Sequence, residues 1–477
     1  MSNLPRQLKY GSKVESAMAK SYRTNIAPQN GTNGYVMGNT ITVNIPTRNN
    51  LILVPPESYL KFDVTCVNGA TAANPIRCDS CGAHGLIQRI RVYHGSNLIE
   101  DIDNYGLLAK MLFDLQVPTD AAYGKYNILA GTRSDLKITN QVSADYGADD
   151  TLTRARILAG NAVALVSQVN SGASLTVNAG ADANAVANLL GSATSAGYST
   201  TYCLNLMSIV GSLCSQNYLP LFACTSAPLR VEIQLVSDPM YCLASTTAIT
   251  SVTLNNVEYV GNFIELSDEA MSVINGSLDG QPLQFALQSY RNFGYSYALV
   301  NGVSTQVSMP IPAKFSSLKS LMLAVRDKQL GGLTFFPFSC TTNGITQYYF
   351  RIGSQIVPSK APSTLPEMFS EAMKAMGSMS DLNYQPSIEN TSYSMSASTT
   401  VNLAGTTSSG AFYLGIDLEN YPNAPKDTMF AGYNSSTDDI YAIMNFTAGS
   451  SLTARFDAYA LIDEVIVFQN NTCFVKF

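Results

Sequence analysis

Histidine is almost missing from this chain: His84 and His94 are the only two in 477 residues. A triad or metalloprotease site built on histidine therefore has almost no candidates, and H-E-x-x-H does not occur. No two glycines stand two residues apart, so the dinucleotide-binding G-x-G-x-x-G is excluded. The G-K-[ST] phosphate loop and the G-x-S-x-G nucleophile elbow are also missing. Charge is scarce, at 13% of residues, against 46% apolar. Such a chain can build large cores but has few charges for its surface, which predicts neutral polar surface and extensive subunit contacts. No apolar run approaches the roughly 18 residues of a membrane-spanning helix. The N-terminal stretch has charges but no apolar segment of the signal-peptide kind, so folding inside a cell is expected.

Nine cysteines, at 66, 78, 81, 203, 214, 224, 242, 340 and 473, are odd in number and scattered. They predict buried thiols rather than a disulfide framework. Cys78-x-x-Cys81-x-x-His84, with Cys66 upstream, is the one spacing with weak metal-ligand character. A fourth ligand is not evident, so no metal and no cofactor are assigned. Carboxylate pairs such as Asp101 with Asp103 read as turn residues or caps. Glycosylation sequons at Asn30, Asn275, Asn390, Asn434, Asn445 and Asn470 are expected to be unused without a secretory signal.

What is present is period-two alternation. Leu229, Val231, Ile233 and Leu235 alternate with Arg230, Glu232 and Gln234. Leu60 to Cys66, Val303 to Ile311 and Phe412 to Leu418 follow the same rule, which predicts strands with one buried and one polar face. A strand, Gly-Ser turn, strand and helix occur twice, 258 positions apart. The first copy runs from Ile90 through Gly95-Ser96 to Ile99, with a helix over 104–116. The second runs from Tyr348 through Gly353-Ser354 to Val357, with a helix over 364–376. Glycine at each turn makes positive φ cheap. The repeat predicts a duplicated all-β domain with few, short helices. Leu107, Leu108, Met111, Leu112 and Leu115 form the apolar stripe of the first helix. In the second, Thr364 and Glu367 have capping-box spacing. A third helix is expected over 267–274.

Residues 1–25 carry Arg6, Lys9, Lys13, Lys20 and Arg23 against Glu15, a net of +4 in a chain of net −6. Residues 1–30 are read as a basic arm. Segment 141–200 is rich in Ala, Gly, Asn and Ser and reads as a long surface insertion. The domain junction is placed at 245/246, giving units 31–245 and 246–477.

Leu219-Pro220-Leu221-Phe222-Ala223, Pro228 and the strand over 229–235 resemble the end of the first barrel in double jelly-roll major capsid proteins of eukaryotic DNA viruses, virophages and polinton-like viruses among them. Val257 to Val260 and Phe263 to Glu269 resemble the start of their second barrel. Residues 317–326, Phe456-Asp457-Ala458-Tyr459-Ala460, 468–471 and Phe477 resemble later strands. The likeness covers the chain from residue 36 onward; the 141–200 insertion and the arm have no counterpart. The resemblance implies two tandem eight-stranded jelly rolls, a homotrimeric pseudo-hexagonal capsomer, and an icosahedral shell around a DNA genome. It implies no catalytic residues. It also implies partners: the chain itself, minor capsid and penton proteins, and an internal membrane or the genome through the interior-facing arm. The alternatives are a virion spike or carbohydrate- or receptor-binding jelly-roll protein, and a jelly-roll enzyme acting on sugars or small acids.

Overall fold

The computed structural model describes residues 19–68, 76–132, 191–192, 199–214, 218–245, 249–278, 281–299, 303–327, 336–377, 386–396, 409–421, 430–447, 452–469 and 471–476. The first half runs β1 (Ala19–Ile26), β2 (Thr40–Ile45), β3 (Tyr59–Asn68), β4 (Ile87–His94), β5 (Asn97–Asp103), α1 (Tyr105–Gln116), β6 (Ser199–Leu204), β7 (Leu229–Leu235) and β8 (Ile249–Leu266). Helix α2 (Asp268–Leu278) leads to β9 (Leu283–Leu299), β10 (Thr305–Ile311), β11 (Leu318–Asp327), β12 (Ile345–Ile352), β13 (Gln355–Val357), α3 (Leu365–Met376), β14 (Tyr413–Asp417), β15 (Ile440–Phe446), β16 (Leu452–Gln469) and β17 (Thr472–Lys476).

The predicted all-β architecture is present, and the strand orders of the two halves match. The first half has sheets β1-β8-β3-β6 and β2-β7-β4-β5; the second has β9-β16-β11-β14 and β10-β15-β12-β13. The repeated unit seen in the sequence, β4-β5-α1 and β12-β13-α3, occupies the same edge of each four-stranded sheet. His94 pairs with Asn97 and Ile352 with Gln355, so each hairpin has a two-residue loop. Gly95 and Gly353 sit there at φ 58° and 57°, the left-handed region that glycine adopts without strain.

Alternation explains the cores. Val43, Val231 and Val92 lie side by side across three strands, as do Ile41, Ile233 and Ile90. All six are fully buried. The second half repeats the arrangement with Met309, Ala442 and Phe350. Each large side chain so buried contributes about 1.5–3 kcal/mol.

Three expectations are corrected. The 18-residue strand β8 pairs with β1 and β3. It occupies the place in the first half's sheet that β16 occupies in the second, so by its pairing 249–266 groups with the first half rather than with 246–477. The basic arm is shorter than expected: residues 19–26, with Lys20 and Arg23, form the edge strand β1, held to β8 from Ala19–Leu266 to Ile26–Tyr259. Arg6, Lys9 and Lys13 lie outside the described residues, as does segment 141–200 except 191–192 and 199–200. Finally, the strand predicted to have one polar face, β14, is buried on both. Helix α3 covers its second face, with Ala372 against Gly415. Among the described residues no helix is long and apolar enough to cross a membrane.

Candidate functional site

The most elaborate chemistry lies in the seam between the halves. Helix α1 is buried from Tyr105 to Leu115, on all faces rather than along one stripe, because the second half covers its outer side. It starts at Asn104, a non-glycine residue at φ 51°. The Asn104 side-chain Nδ2 donates to Asp457 Oδ1 at 2.9 Å, and Tyr459 Oη donates to the backbone carbonyl of Asn104 at 2.9 Å. Asp457 is itself held by Arg326, with Nε at 3.1 Å and Nη2 at 2.5 Å from Oδ2. One strand of the second half therefore anchors the residue at which the first-half helix starts. A Cβ at position 106 would stand 2.7 Å from the Phe338 ring, so only Gly106 permits this approach.

One turn on, Lys110 donates to Asp114 Oδ2 at 2.8 Å and to Ser80 Oγ at 2.9 Å, with Asp79 Oδ1 at 3.4 Å. Tyr413 of β14 donates its hydroxyl to Asp114 Oδ2 at 2.8 Å. Burial works against the ammonium, but Asp114 and Asp79 outweigh it and raise the Lys110 pKa. A third cluster joins Glu100 on β5 to Arg291 and Ser289 on β9 and Glu464 on β16. Glu100 accepts from Ser208 Oγ and from the Ile209 amide at 3.0 Å. Arg291 Nη2 lies 2.6 Å from Glu464 Oε1, and its Nη1 donates to the Asp101 carbonyl at 3.0 Å. Burial raises both carboxyls, Glu464 to about 7, against the pull of Arg291. Buried charges kept in such pairs fix one relative placement of the two halves, since any slip would leave them unpaired.

Both histidines serve structure. His94 Nε2 donates to the Cys224 carbonyl at 3.0 Å, and its Nδ1 accepts from the Cys473 amide of β17 at 3.4 Å. His84 Nδ1 lies 2.9 Å from Tyr105 Oη, and burial lowers its pKa to about 3. Cys78, Cys81 and His84 are all buried near the start of α1. Burial first, then Asp79, pushes the Cys81 thiol well up. Among the described residues no three His, Cys, Asp or Glu side chains are grouped to hold a metal ion. Lys20 and Arg23 are exposed on the edge strand β1. The seam residues were missed in the sequence; Lys110 inside Leu107-Leu108-Ala109-Lys110-Met111-Leu112 was the available signal.

No protein-family description and no curated protein sequence matches the chain. Solved structures do. The PBCV-1 virus capsid shares 10% identity at a TM-score of 0.56, over 98% of this chain and 99% of that one. The Faustovirus major capsid protein shares 11% at 0.54, over 97% and 92%. The mavirus major capsid protein shares 11% at 0.50, over 100% and 95%. With two matching sets of sheets joined through a buried polar seam, the chain has the double jelly-roll fold of virus major capsid proteins.

Proposed function

We propose that this chain is a structural major capsid protein. On this reading the halves 19–266 and 281–476 are two jelly rolls, and three chains form a pseudo-hexagonal capsomer. Such capsomers tile an icosahedral shell around a DNA genome, assembled inside the host cell. The observation that carries the reading is the repeated strand order together with the fold likeness along nearly the whole of both chains. Two barrels in one chain let a threefold assembly fill a sixfold lattice position. Both histidines are engaged in structural hydrogen bonds, which fits a building block.

On the same reading, residues 1–18 continue the basic segment beyond β1 and face the particle interior, where they contact membrane, genome or neighbouring capsomers. Minor capsid and penton proteins complete the shell. Electron microscopy of the concentrated protein tests the proposal. Six-lobed capsomers packed in hexagonal sheets are expected. Isolated elongated spikes would overturn it in favour of a receptor-binding role. Removing residues 1–18 is expected to leave capsomers intact but stop closed shells.

A further inference from the structure

A second fully buried lysine lies away from the seam. Lys319 opens β11 at a bulge, where the pairing with β16 shifts between Leu318 and Ser320. The bulge turns its side chain into the core of the second half, at 0% exposure. Its Nζ stands 3.3 Å from Glu419 Oε1 and 3.8 Å from Asp463 Oδ1, and both of those side chains are also buried. The backbone clamps the three together: the Leu418 amide donates to the Lys319 carbonyl at 2.8 Å, and the Asp463 amide to the Ser317 carbonyl at 3.1 Å.

The two oxygens of Asp463 are treated differently. Oδ2 accepts from Ser317 Oγ at 2.6 Å and from the Phe430 amide at 2.9 Å. Phe430 delivers that amide from φ 56°, a left-handed conformation unusual for a bulky residue. Among the described residues, Oδ1, the oxygen facing Lys319, accepts no hydrogen bond. Two donors on one carboxyl oxygen, with an amine at the other, is the arrangement of an oxyanion site around an acyl carbon. Burial raises the Asp463 pKa, which favours the neutral acid, the form that an amine can attack.

We propose that Lys319 and Asp463 condense into an intramolecular isopeptide bond, with Glu419 carrying the proton. The Glu419 carboxylate takes one proton from the Lys319 ammonium. The freed Nζ lone pair attacks Cγ of the protonated Asp463, and the developing oxyanion on Oδ2 is held by Ser317 and the Phe430 amide. Oδ1 leaves as water, taking the acid proton and a second proton from Nζ. An ammonium, a carboxylic acid and a carboxylate thus become an amide, one water and a protonated Glu419; charge is conserved and no oxidant is needed. Holding the partners together is worth an effective concentration of about 10⁵–10⁸ M, which lowers the barrier to condensation.

The Lys110 cluster shows what a plain ion triad looks like. There the donors and the lysine share oxygens: Asp79 Oδ1 takes both the Ser80 amide and Lys110, and Asp114 Oδ2 takes both Lys110 and Tyr413. Both carboxylates hold the ammonium charged and non-nucleophilic.

The test is the intact mass of the purified full-length protein under denaturing conditions. The wild type is expected one water short of the mass its sequence dictates, and Lys319→Arg is expected at full mass. A digest should contain one branched peptide joining residues 319 and 463. Glu419→Gln is expected at full mass while eluting like the wild type. Full mass in the wild type, or the same deficit in Lys319→Arg, would overturn the bond. A deficit retained in Glu419→Gln would overturn the role of Glu419. None of these outcomes depends on whether the protein builds a shell.

Discussion

Lys110 in the first half and Lys319 in the second are both at most 1% exposed, each beside two carboxyl groups, yet their settings differ. Lys110 lies on a helix within the seam, and its partner Asp114 reaches Tyr413 of the other half. Lys319 lies on a strand, and its partners Glu419 and Asp463 belong to its own half. The first cluster ties one barrel to the other. The second ties neighbouring strands within one barrel. Two copies of one topology have thus placed a buried lysine at two different jobs, which strand order alone does not reveal.

Replacing Lys110 by Met should produce the largest effect. Asp79 and Asp114 would remain buried side by side without a cation, a loss of about 3–5 kcal/mol. Urea unfolding would register it, and a change below about 1 kcal/mol would mean that the seam does not depend on the pair.

Glu464 comes next, because the seam holds a group that titrates near neutrality. Its folded value, about 7, lies above the ordinary 4.5, so its contribution to stability is complete below 4.5 and is lost as pH rises through 7. Glu464→Gln should therefore flatten that loss: up to about 3 kcal/mol more stable than wild type at pH 8, and little different at pH 4. Parallel curves at the two pH values would refute the assignment.

Tyr413→Phe removes one neutral donor from the charged Asp114 and should cost about 2 kcal/mol, with no change in the covalent mass deficit. The smallest effect separates the repeated helices. Helix α3 has the capping box expected from the sequence, Thr364 accepting from the Glu367 amide. Helix α1 has no side-chain cap and is tied down by the second half instead. Thr364→Ala should cost about 1 kcal/mol, read as a small fall in melting temperature. A larger loss would mean that α3 depends on its cap as α1 depends on the seam.

The strands, the repeat and the capping box were legible because each is written over a few neighbouring residues. Period-two alternation at 229–235 and Gly-Ser at both hairpins needed no distant partner to be read. The seam was not legible for the opposite reason. Lys110 and Asp114 are spaced like an ordinary surface pair, and what buries them is Tyr413, roughly 300 positions away. Strand β8 was assigned to the wrong half because its alternation says which face is buried but not which sheet it joins. Lys319, Glu419 and Asp463 are likewise far apart in the chain, and only the bulge at the start of β11 brings the lysine inward.

Light scattering after size exclusion of the purified protein would test the central claim most directly. A capsid building block of this fold should run with the mass of three chains. A single-chain mass at every concentration would contradict the capsomer and leave the double barrel without the assembly proposed for it.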